Sequence, residues 1–160
     1  KPTRIILASP AFFKEDLAKA LSKEMKSRLI YATIGSVGKN GIDETLKRDE
    51  TKTALLAHKS ADELRIVEEL LKEISKDGNY AYGIRQTKTA IESGAVKILL
   101  VCERLIKEKR AAKKYIEIDT MMKDVDRMEG DIRIISEDND GGRKLWGLGG
   151  IGAILRYKLN

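Results

Sequence analysis

Val96-Lys97-Ile98-Leu99-Leu100-Val101-Cys102 (VKILLVC) is the stretch from which the fold can be read. It is short and apolar on both faces, the pattern of an interior strand covered on both sides. Upstream of it, residues 84–93 read as a helix closed by Gly94. Residues 80–83 read as a brief strand, and Lys76-Asp77-Gly78-Asn79 is turn chemistry. Before that turn, residues 60–75 form a helical pattern opened by the capping box Ser60-Ala61-Asp62-Glu63. Leu64, Val67, Leu70, Leu71 and Ile74 make its core stripe. Downstream, residues 112–128 read as a helix stopped by Gly130, residues 132–136 as a strand, 138–143 as a polar turn and 151–157 as a last strand. Helices and strands alternate throughout, so the class is α/β.

The first third of the chain is less complete. Residues 3–8 (TRIILA) read as a buried strand, and Ser9-Pro10 supplies an N-cap with proline at the first helical position. Phe13, Leu17, Ala20, Leu21 and Met25 recur at helical spacing, as an apolar stripe turned inward would. Residues 29–34 read as a second strand, 35–41 as a loop and 42–56 as a charged helix with Ile42, Leu46 and Leu55 on or near one face. The seam falls near residue 57. Residues 1–57 carry 11 basic and 7 acidic side chains (+4), and residues 58–160 carry 20 and 18 (+2). Two strands are too few for a covered parallel sheet. The first block therefore reads as part of a domain whose other strands lie upstream or were removed.

Composition removes several classes. The 160 residues include 31 Lys+Arg, 25 Asp+Glu and one His, for a formal charge of +6. With 42% hydrophobic and 35% charged residues the chain is globular, and its length suffices to build a core without staples. Cys102 is the only cysteine, which excludes an internal disulfide framework and a cysteine-based zinc cluster. No apolar stretch reaches the roughly 20 residues a membrane helix needs. A start at Lys1 without Met or a signal-like segment reads as a processed or cloned fragment in a reducing, cytosolic setting.

Few residues suggest chemistry. Gly35-Ser36-Val37-Gly38-Lys39 sits between strand and helix, as a phosphate loop does, but only two residues separate its glycines and Asn40 follows the lysine. A mobile turn with a cation, Lys39, at its tip is the plainer reading. Gly147-Leu148-Gly149-Gly150-Ile151-Gly152 runs into a strand, the wrong polarity for a dinucleotide site. His58 has no ligand-spaced partner, and Cys102 reads as a small buried hydrophobe. Glu137-Asp138-Asn139-Asp140 lacks calcium-loop spacing and reads as a solvated turn. The run Lys107-Glu108-Lys109-Arg110-Ala111-Ala112-Lys113-Lys114 has two readings. Its five cations could hold RNA phosphates in a salt-dependent way, or they could be a solvated helix start on an exposed connection. No nucleophile–base–orienter set can be assembled. On residues alone the chain is a binding or scaffold module.

Four segments carry a resemblance. Ile5-Ile6-Leu7-Ala8-Ser9-Pro10-Ala11-Phe12 followed by Lys14-Glu15-Asp16, then GNYAYG (78–83), GAVKILL (94–100) and GGIGAILRY (149–157), resemble the Pelota family, the ribosome-rescue paralogues of archaeal and eukaryotic class-1 release factors. The likeness spans essentially the whole chain. Two features favour Pelota over a release factor. Only about thirty residues separate Cys102 from Ile132, leaving no room for the minidomain that release factors insert. Ser9, Pro10 and Phe12 match the family's Ser-Pro-Gly-Phe motif, with Ala11 where the family has Gly. A release-factor Gly-Gly-Gln motif would lie upstream of Lys1.

The resemblance implies a three-domain protein, with an Sm-like N-terminal domain to which the family attributes a metal-dependent endonuclease activity. It implies that residues 1–57 are the C-terminal part of an RNase H-like central domain. Residues 58–160 would be an α/β/α-sandwich domain of the kink-turn-binding ribosomal-protein type. It implies no cofactor in this fragment, a divalent metal belonging to the full-length family. The partners implied are an elongation-factor-like translational GTPase, the ribosome with its rRNA, and an ABC-class recycling ATPase, acting in rescue of stalled ribosomes and no-go mRNA decay. Pro10, Ala11 and Phe12 become GTPase-contact candidates, although Phe12 could equally be a core residue beside Phe13. Lys39, Lys107, Lys109, Arg110, Lys113 and Lys114 become RNA or ribosome contacts. The alternatives are a class-1 release-factor fragment and a stand-alone RNA-binding module. Kink-turn binders start a helix with a Gly-x-Asn-Glu-like motif, and the comparable start here, residues 58–63, lacks the Gly and Asn. In full-length protein, Phe12→Ala is expected to weaken GTPase binding with little loss of thermal stability. An unchanged Kd by calorimetry removes Phe12 from the contact set.

Overall fold

The computed structural model describes residues 4–10 and 13–159. The chain divides into two compact units, Lys1–Lys59 and Ser60–Asn160. Both are mixed α/β.

In the first unit, β1 (Ile5–Ser9) pairs in parallel with β2 (Leu29–Thr33), from Ile5 opposite Leu29 to Ser9 opposite Thr33. Between them run α1 (Phe13–Ala20) and the single turn α2 (Lys23–Lys26). The predicted continuous helix is interrupted because Ser22 Oγ accepts the Met25 amide and caps a new start. The inward stripe is also not realised: Phe13 is 74% exposed, Leu17 52% and Met25 42%, while Ala18 is buried. A sheet of two strands offers too little surface to cover that stripe. Helix α3 (Gly38–Lys47) begins four residues before the predicted start.

The expected 42–56 helix is divided at Arg48, and its second half continues without a break through the expected 60–75 helix as α4 (Asp49–Ser75), 27 residues long. Helix α4 contains no Gly or Pro, so nothing breaks it at residues 57–59. Ser60 to Glu63 is therefore mid-helix, neither a capping box nor a helix start comparable to a kink-turn motif.

The second unit is built on a four-stranded sheet in the order β3-β6-β4-β5. These strands are β3 (Tyr80–Tyr82), β6 (Ile151–Leu155), β4 (Val96–Cys102) and β5 (Asp131–Ile135). β4 is interior as predicted, antiparallel to β6 and parallel to β5. The intervening helices are α5 (Gly83–Glu92), α6 (Glu103–Ala111), α7 (Tyr115–Arg127) and α8 (Asp140–Gly147). Leu70, Leu99, Leu100, Ile118, Ile135 and Leu145 are fully buried in one core.

Two of these helices differ from the sequence expectation. The segment read as an exposed connection is α6, anchored by buried Leu105 and Ile106. The predicted polar turn is largely α8, capped by Asn139, whose Oδ1 accepts the Gly142 amide at 2.9 Å. Gly141 and Gly142 lower helix propensity and so conceal α8 in the sequence. They are needed for space: a Cβ on Gly142 would collide with the Ser136 carbonyl, and one on Gly141 would press on the Glu63 backbone. Gly142→Ala should destabilise the second unit by about 2 kcal/mol. Gly147→Ala, where a Cβ meets open space, should leave it unchanged or raise it by about 0.5 kcal/mol. Denaturation followed by fluorescence of Trp146, the single tryptophan, reads both.

Candidate interaction surface

Of the GTPase-contact candidates, Pro10 is half-buried in a bend directly after β1. Ala11 and Phe12 lie outside the described residues. Phe13, the expected core residue beside Phe12, faces solvent.

Lys39 lies exposed in the first turn of α3. The loop before it does not offer its amide to an external anion. Glu44 accepts the Gly35 N–H through both carboxylate oxygens at 2.9 and 3.0 Å, the Ser36 hydroxyl at 3.1 Å and the Arg48 guanidinium at 2.6 Å. The Gly35 amide first, then Arg48, hold the Glu44 carboxyl below its ordinary value. A side-chain carboxylate thus occupies the loop, which accounts for its strand-to-helix setting without a nucleotide.

The structure sorts the basic run into two groups. Lys107 donates to Glu137 at 2.8 Å and lies 3.4 Å from Glu103. The Glu137 bond leads in pushing the Lys107 ammonium above its ordinary value. Lys109 pairs with Glu117 at 3.0 Å, and the Arg110 guanidinium lies 4.5 Å from the Tyr115 ring centroid. These three bind α6 to its neighbours. Lys113 and Lys114 follow α6, exposed and in no ion pair among the described residues.

Two connections went unread in the sequence. Glu63 is buried on α4, and its Oε2 accepts the Ser136 amide at 3.0 Å and the Asn139 side-chain amide. The acidic stretch read as a solvated turn is thereby fastened to α4, with Glu137 held by Lys107. Near the other end of the unit, Lys158 donates to the Asp77 carboxylate at 2.6 Å and to its carbonyl at 2.8 Å. Both contacts join residues more than seventy positions apart, so local patterning carries no signal for them.

Cys102 is fully buried and burial pushes its thiol up, the environment of an inert core residue. Gly149 and Gly150 take left-handed conformations (φ +92° and +76°) in the turn into β6, so the glycine cluster serves a turn. Among the described residues no group of three His, Cys, Asp or Glu side chains could hold a metal ion. No helix among the described residues is long and apolar enough to cross a membrane.

The second unit is thus a mixed four-stranded sheet in the order β3-β6-β4-β5, with the β5–α8 connection fastened to α4. A family model described as eRF1 domain 3 matches residues 60–159, and the chain belongs to that family. It is 34% identical over 158 residues to the pelota homolog of Methanosarcina barkeri, covering 97% of this chain and 45% of that protein. The structure of ribosome-bound archaeal Pelota and ABCE1 is similar at TM-score 0.74 and 30% identity, over 99% of this chain and 44% of that one. Dom34 of S. cerevisiae, a termination-like factor of RNA quality control that interacts with Hbs1, is similar at TM-score 0.63 and 26% identity, over 98% and 48%. The likeness is thus to the C-terminal portion of Pelota proteins, and the chain spans about half the length of the curated relatives it matches.

The Asp77–Lys158 clamp gives a pH expectation. The hydrogen bond from Lys158 is the main cause that lowers the Asp77 carboxyl in the folded state. A lowered folded value adds stability above the unfolded value, which is lost as pH falls through the folded one. Stability should therefore fall below about pH 4, and Asp77→Asn should flatten part of that dependence in urea titrations read by Trp146.

Proposed function

We propose that this chain is the central and C-terminal portion of a ribosome-rescue adaptor. In this reading residues 1–57 complete an RNase H-like central domain, and residues 58–160 form an α/β/α sandwich of the kink-turn-binding ribosomal-protein type. The adaptor enters the A site of a stalled ribosome in the cytoplasm with an elongation-factor-like GTPase, and an ABC-class ATPase then helps to split the subunits. No-go mRNA decay is the process this serves. The observation that carries the reading is similarity along nearly the whole chain to a Pelota bound to the ribosome with ABCE1. The Dom34 likeness supports a GTPase partner of the Hbs1 type.

The exposed Phe13, Leu17 and Met25 fit a first unit that packs against upstream chain in the full protein. Pro10, Ala11 and Phe12 remain the GTPase contacts and Lys39 an RNA contact. A release-factor reading is less supported, because only α6, α7 and their turns lie between β4 and β5, where a minidomain would otherwise be inserted.

Full-length protein, with the GTPase and the ATPase, should convert ribosomes stalled on truncated mRNA into subunits on a sucrose gradient. Absence of splitting, or release of peptide at stop codons instead, overturns the proposal.

A further inference from the structure

The corner between α6 and α7 is braced from inside. Ala112, Lys113 and Lys114 donate their amides back to Glu108, Arg110 and Lys109 carbonyls at 2.8–3.0 Å. Lys113 is left-handed at φ +56°, a strained conformation for a non-glycine residue that persists only where its surroundings fix it. The Arg110–Tyr115 stack and the Lys109–Glu117 pair do so, one from each side of the turn.

What this corner shows to solvent is unusual. Ile116, in the first turn of α7, is 79% exposed, whereas Ile118 two residues on is fully buried. Ala111 and Ala112, five and four residues before it, are exposed as well, and so are Lys113 and Lys114 between them and α7. The neighbouring acidic groups on both helices are already committed: Glu108 to Arg104, Glu117 to Lys109 and Asp119 to Lys123. The corner is therefore a rigid, apolar knob with two uncompensated positive charges.

We propose that the α6–α7 corner docks an acidic protein segment, an apolar side chain of which seats on Ile116 while its carboxylates meet Lys113 and Lys114. Charge complementarity selects the acid, and the isoleucine selects protein over RNA, because a phosphate backbone gives an exposed aliphatic side chain no partner. The engagement of Lys107 with Glu137, Lys109 with Glu117 and Arg110 with the Tyr115 ring argues the same way, since each contact competes with an RNA phosphate for one of the five cations. A pre-braced turn also binds without a large ordering cost. This inference does not depend on the rescue function, because it rests on the corner alone.

The test places the photocrosslinker benzoylphenylalanine at position 116 of the full-length protein in cells, with position 126 on the same helix as control. Support is a crosslink at 116 to a mass-mapped protein segment rich in Asp and Glu that also holds an apolar residue. That crosslink should fall by about tenfold in a Lys113→Glu, Lys114→Glu background. Trp146 unfolding should be unchanged in that background. Crosslinking to RNA, to a segment without acidic residues, at a yield no higher than at 126, or without response to charge reversal overturns the proposal.

Discussion

Strand β4 is bonded on both flanks, antiparallel to β6 from Val96 to Val101 and parallel to β5 from Ile98 to Cys102. From Ile98 to Val101 it has a ladder partner on each side, and Leu99, Leu100, Val101 and Cys102 are removed from water altogether. Everything else in the second unit is arranged about this strand. α6 leaves directly from its end, and β5 and β6 take their register from it. Leu70 of α4 and Leu145 of α8 close over β6, so tightly at Gly152 that a Cβ there would lie 2.7 Å from Leu70.

Around that core, long-range polar bonds fix the pieces that hydrophobic contact alone would leave loose. Glu63 fastens the β5–α8 connection to α4, and Asn139 serves two ends at once, bonding Glu63 and capping α8. Lys158 fixes the chain end to the turn before β3. These bonds use charges as internal fasteners.

The first unit obeys a different constraint. A parallel pair of strands joined by short helices buries Ala32 and Ile34 but leaves large side chains of α1 and α3 in water, Ile42 and Leu46 among them. The apolar periodicity that marked these helices was real. What periodicity cannot state is whether a partner surface exists within the same stretch of chain to receive it.

Elements with a short-range signal were legible in the chain alone. VKILLVC had to be an interior strand, Gly94 had to end a helix, and the alternation of elements had to give an α/β class, because hydrophobic period and turn chemistry act over a few residues. Tertiary structure decided the rest. It divided the expected 42–56 helix at Arg48 and ran its second half on into the next helix as α4, because residues 57–59 hold nothing that breaks a helix. It made α8 from a glycine-bearing polar stretch, because close approach of Ser136 and Glu63 outweighs helix propensity. It also divided a basic run into internal braces and an exposed corner, because a cation's role depends on which carboxylate or ring the fold brings within about 4 Å of it.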